Sequence, residues 1–207
     1  MREVVGPNVD LCIEAHDQFT VTHAIRIGHM LEELQVMLLE TPVHSSDIAA
    51  TIEVAKAIAP VPVAVGERYK RMGMFVDLLA AKVIDIVQPE VLSLRVFNIK
   101  RVCGITEAAE ALVACHTAHS LLGTVVNVHV HVSIANFLIQ ENFDDSNEPW
   151  TWDLLPGVPR VKNGYLLVPN EPGWRVDLNE EEVAKHPYSE KNFLRLFEES
   201  WETRKPG

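Results

Sequence analysis

Six ionisable residues recur along this 207-residue chain at nearly one interval: Glu14, Glu40, Glu67, Glu90, His116 and Glu141. Their successive spacings of 26, 27, 23, 26 and 25 residues each fit one strand, one helix and two loops. Each follows a short apolar run, so in a parallel barrel all six would stand at the C-terminal ends of strands, where such folds place their chemistry. A single glutamate after a strand is ordinarily a solvated loop residue. The set is different, because several carboxylates on one rim repel unless a divalent cation neutralises them, and oxygen-only ligands suit Mg2+. A histidine among carboxylates adds proton transfer near neutral pH.

The elements that must position these residues read as strand and helix in alternation, an α/β pattern with parallel strands and helices outside them. Strands are expected at 9–15, 36–39, 61–65 and 83–87, with a fifth at 112–115 and a sixth at 137–139. Thr20 and Thr22 are cap candidates for a helix carrying Ile25, Met30, Leu31 and Leu34 at helical spacing. Ser45, Ser46 and Asp47 cap the next helix, and a third is expected over 74–81.

Composition narrows the function classes. With 47% hydrophobic residues the chain can bury a core, and a net charge of −11 with scattered Lys and Arg excludes the basic face of a nucleic-acid binder. Cys12, Cys103 and Cys115 are odd in number and form no CxxC pair, which predicts reduced thiols rather than disulfides or a zinc-thiolate site. No long apolar run or signal sequence is present, so no membrane association is expected and a cytoplasmic location is.

The stretches VDLCIEAHDQF (9–19), LLETPV (38–43), PVAVGERY (62–69), VIDIVQPE (83–90) and NFLIQENF (136–143), with a closing segment over 163–188, resemble the enolase superfamily. Within its mandelate racemase and muconate lactonizing enzyme branch they are most similar to the galactonate dehydratase group of sugar-acid dehydratases. The resemblance implies a partial (β/α)8 barrel, about strands three to eight, without the family's N-terminal α+β capping domain. Residues 1–150 would form the barrel portion and 151–207 a C-terminal segment packing back on it. A whole barrel takes roughly 250 residues, so a truncated product is expected, with two open sheet edges.

The same resemblance implies that Glu14, Glu40 and Glu67 bind Mg2+ and that His16 is the general acid protonating a departing hydroxyl. It implies His116 as the base that removes the proton beside the substrate carboxylate, Glu90 as its orienting partner, and Glu141 as a hydrogen-bonding acid on the developing enolate. The implied reaction is Mg2+-dependent dehydration of an aldonic acid to a 2-keto-3-deoxy acid, by a homo-oligomer acting on a small-molecule sugar acid. A racemase using the same enolate, or a non-catalytic remnant serving only as an interaction partner, are the alternatives. Glu14 and Glu90 stand where the family usually has Asp, Thr41 stands where it has a second Glu, and 91–111 departs from its pattern. The base has two candidates, His116 in VACHTA and His119 in HSLLG, and spacing to Glu141 favours His116. The resemblance places His129 and His131 on the helix after the base, where packed or solvated histidines rather than ligands are expected.

Overall fold

The computed structural model of the chain describes residues 1–144, 147–168 and 170–189. Five short strands, β1 (Cys12–Glu14), β2 (Leu38–Glu40), β3 (Val63–Val65), β4 (Ile86–Val87) and β5 (Leu112–Val113), pair in sequence order, every pair parallel. Between them run α2 (Val21–Glu32), α3 (Ile48–Ile58), α4 (Met72–Leu79) and α5 (Val91–Ala108). After β5 comes α6 (Leu121–His131), and short helices α1 (Arg2–Val5), α7 (Thr151–Leu154) and α8 (Glu180–Lys185) flank the repeat. This is an α/β fold, a portion of a (β/α)8 barrel, with each helix returning the chain to start the next parallel strand.

The caps act where the sequence places them. Thr20 accepts from the His23 backbone N–H at the start of α2, and Asp47 accepts from Ala50 at the start of α3. Helices α2 and α3 pack tightly because Gly28 has no side chain: a Cβ there would stand 2.5 Å from Ile58. The main core lies between sheet and helices and holds Leu39, Val54, Ile58, Val63, Val65, Phe75, Leu78, Val87, Ile99 and Val113. The other face of the sheet carries a far smaller buried cluster, Leu38, Ala64, Ile86 and Ala114, with Leu138 against it. A third cluster joins Leu155 and Val158 to Leu121 and Val125 of α6.

Several expectations need correction. The run at 9–15 is not a buried strand: only Cys12–Glu14 is extended, and Cys12 and Glu14 are exposed, because β2 is the sole neighbour of β1 among the described residues. The sixth run, 137–139, contributes one parallel bridge, Phe137 to Val113, held by hydrogen bonds from Val113 N to Asn136 O and Leu138 N to Val113 O. Met30 is 65% exposed and faces away from the core that Leu31 enters. The third helix begins two residues early, at Met72. The irregular segment 91–111 is mostly α5, kinked at Arg95, whose φ of 64° is left-handed, with Gly104 to Glu107 inside the helix. Residues 190–207 of the expected C-terminal segment lie outside the described residues.

Candidate active site

Register alone brings two of the acids together, since Glu14 and Glu40 are direct partners at the ends of β1 and β2. Glu67 follows β3 after Gly66, whose φ of 138° turns the chain in a conformation that glycine adopts without penalty. Carboxylate oxygens of Glu14, Glu40 and Glu67 all lie within 4.8 Å of one another. Glu40 and Glu67 are buried, while Glu14 sits at the open edge. Burial and then the neighbouring charge of Glu40 push the Glu14 carboxyl up to about 9. Burial chiefly raises Glu40 as well, with the charges of Glu141 and Glu67 adding to it. Crowded carboxylates that hold each other's pKa high are a donor set matched to a hard divalent cation, whose charge removes the repulsion.

The imidazole of His116 stands next to this cluster. Its Nδ1 is 2.5 Å from Glu90 Oε2 and its Nε2 is 3.2 Å from Glu67 Oε2. Glu90 is the N-cap of α5, and its other oxygen, Oε1, accepts from Leu92 N at 2.8 Å, so the helix start fixes the carboxylate that fixes the ring. Burial opposes charge on His116, but the Glu90 hydrogen bond and the charges of Glu141, Glu67 and Glu90 outweigh it and raise the imidazole's pKa. Burial likewise opposes charge on Glu90, and the hydrogen bonds from His116 and Leu92 overcome it and lower that carboxyl. His119 Nε2 lies 3.2 Å from the same Glu90 oxygen, with 53% of its side chain exposed. Glu141 accepts from Thr117 N at 2.6 Å, one residue beyond His116.

His16 lies past β1 in a left-handed conformation, φ 49°, with its backbone N–H donating to the Glu14 carboxylate. Its Nε2 is 2.8 Å from an Arg68 nitrogen, and since a guanidinium only donates, that ring nitrogen is the acceptor. Arg68 also reaches Glu67 Oε1 at 3.0 Å and Asp17 Oδ2 at 3.3 Å. Asp17 accepts from Ser45 N at 3.0 Å, which ties the loop after β1 to the loop after β2.

Sequence reasoning missed Arg68 and Asp17, although each directly follows a residue it singled out. It also missed Asn127, whose amide donates to His116 O at 3.0 Å and to Thr117 Oγ1, so α6 holds the carbonyl of His116 and the side chain of the residue after it. Nothing in the sequence around Asn127 marks it beyond a polar residue set between valines of α6. His131 is packed on α6, as expected: Cys115 N donates to its Nε2 at 3.3 Å, and its Nδ1 is 2.9 Å from Gln140 Oε1. His129 packs edge-on to Trp174.

Residues 1–183 match the family model described as "Enolase C-terminal domain-like". The chain is 31% identical over 202 residues to the D-gluconate/D-galactonate dehydratase of Picrophilus torridus, covering 97% of this chain and 51% of that protein. A D-mannonate dehydratase of Caulobacter vibrioides is 29% identical over 190 residues, with 46% of its length covered. Among solved structures, a mandelate racemase/muconate lactonizing enzyme from a Jannaschia species superposes with a TM-score of 0.84 at 30% identity, covering 91% of this chain and 48% of that one. An enolase from Pantoea ananatis with bound D-gluconate and Mg superposes with the same TM-score at 28% identity, covering 90% of this chain and 45% of that one. The chain spans about half the length of the curated relatives it matches.

Proposed function

This chain belongs to the enolase C-terminal domain-like family, and from that premise we propose that it carries the cation-binding and proton-transfer machinery of a sugar-acid dehydratase. The observation that carries the reading is the convergence of Glu14, Glu40 and Glu67 within 4.8 Å, with the His116 and Glu90 pair directly beside them. Those three carboxylates would hold Mg2+. When bound, the ion supplies Lewis-acid stabilisation of the negative charge that develops on the substrate carboxylate as the neighbouring carbon loses its proton.

His116 takes that proton at Nε2. Its Nδ1 is held by Glu90, which fixes the ring orientation and supports the imidazolium that results. The electron pair left on carbon expels the β-hydroxyl, to which His16, protonated at Nε2 once Arg68 releases that nitrogen, gives a proton; water departs, and the enol left behind takes up a proton at the β carbon to become a 2-keto-3-deoxy acid. Arg68 orients His16 and screens Glu67. Glu141, held by Thr117 N, donates a hydrogen bond to the developing enolate in its protonated form. His119 is the weaker candidate for the base, because its Nε2 is turned to Glu90 rather than to the carboxylate cluster.

The substrate class is supported by the relatives' names, which are dehydratases of gluconate, galactonate and mannonate. The division into a barrel portion at 1–150 and a C-terminal segment at 151–207 packing back on it is supported by the contacts of Leu155 and Val158 with α6. A homo-oligomer and a cytoplasmic setting complete the proposal. Three free cysteines are consistent with the latter, and no helix of the described residues is long and apolar enough to cross a membrane.

The test is release of keto acid from a panel of aldonic acids by the purified 207-residue chain, with and without Mg2+. Metal-dependent release supports the reading. No metal-dependent signal at millimolar Mg2+ would overturn it, and a product retaining every hydroxyl would point to racemisation instead.

A further inference from the structure

Gln88 follows β4 at the foot of the cation cluster, is 5% exposed, and has a buried carbonyl Oε1 with no hydrogen-bond partner. A buried acceptor left unpaired is destabilising, so a residue kept in this state needs a reason. Strand alternation puts Gln88 on the same face as Ile86, two residues before it, and Glu40 on the same face as Leu38. Leu38 and Ile86 pack together on the inner face of the sheet. In a parallel barrel the side chains of alternate strands share a layer. Glu40 and Gln88 therefore occupy the next layer up, facing each other across β3.

The backbone holds Gln88 in place. Its N–H donates to Val65 O at 2.8 Å, and a Cβ on Gly66 would stand 3.1 Å from that same nitrogen, so glycine lets the two strand ends close on each other. The Gln88 amide lies within hydrogen-bonding reach of the Glu40 carboxylate. One end of the amide thus has a task, and the oxygen at the other end is buried without one.

We infer that Gln88 is a positioning residue of the cation site, its side-chain N–H orienting the Glu40 carboxylate, one of the three that would hold the ion. The inference rests on the reading that Glu14, Glu40 and Glu67 hold the ion. Groups that orient metal ligands in this way are commonly worth 10- to 100-fold in metal affinity.

The experiment is Mg2+ binding by calorimetry to the full 207-residue chain and its variants, each checked for folding by circular dichroism. Gln88→Met keeps the volume and removes both polar atoms, and is expected to weaken Mg2+ binding by about tenfold or more. Gln88→Asn withdraws the amide by one methylene, weakens binding in the same direction, and decides the matter if Gln88→Met does not fold. Ile86→Val loosens the layer beneath without touching the amide, and is expected to bind Mg2+ as the parent does. Parent-like affinity in the folded Gln88 variant, or an equal loss in Ile86→Val, overturns the role of Gln88. A parent chain that binds no Mg2+ overturns the cation reading itself, so the two failures are distinguishable.

Discussion

One carboxylate, Glu90, serves two imidazoles, and only one of them faces the acids across the mouth. His116 presents Nε2 to Glu67, whereas the nearest partner of His119 Nε2 is Glu90 itself. Removing the base is expected to cost a chain with turnover about 10²- to 10⁴-fold in rate. His116→Ala should therefore abolish keto-acid release on this scale while His119→Ala stays within a few-fold of the parent; the reverse pattern would make His119 the base. Residues at this scale were legible in sequence only when chain position set their place. Glu14, Glu40, Glu67, Glu90 and His116 could be found because each ends an apolar run, and the strand supplies the direction. Arg68 could not, because its partner His16 lies 52 positions away, and no local pattern encodes a contact made by folding.

Elements were legible in order and less so in extent. The alternation of strand and helix follows from where the apolar runs fall, but the length of each strand depends on its neighbours. Thus the run at 9–15 shrinks to three residues where only β2 flanks it, and 137–139 to a single bridge beside β5. Helix α6 carries a consequence of its own. His131 is 4% exposed at the end of α6, its two ring nitrogens are met by Cys115 N and Gln140 Oε1, and burial lowers its pKa to about 4. The folded state thus favours the neutral ring, so the stabilisation is complete above the unfolded pKa of 6.5 and is lost as pH falls from there towards 4. Urea unfolding at pH 7.5 and pH 5 should show His131 contributing about 2 kcal/mol less at the lower pH. The difference in stability between the parent and His131→Gln should shrink by that amount; a difference unchanged with pH would mean the ring is not held neutral.

At the scale of the whole molecule, a ligand that binds the folded chain and not the unfolded one stabilises it by mass action. If three carboxylates from three successive strands share one ion, Mg2+ at a hundredfold over its dissociation constant is expected to add about 2.7 kcal/mol. Thermal melts should then shift upward with Mg2+ in the parent and not in Glu40→Gln; equal shifts in both would place the ion elsewhere. The sheet that carries those strands is lopsided. Its outer face meets the helices across a broad core, while its inner face buries four apolar side chains, two of them alanine. Folding energy is therefore drawn mostly from the side away from the chemistry. A lineage could exchange side chains around the mouth, and with them the molecule accepted there, while drawing little on the reserve that keeps the chain folded. The helical shell is the conservative half of such a molecule, and the rim its experimental half.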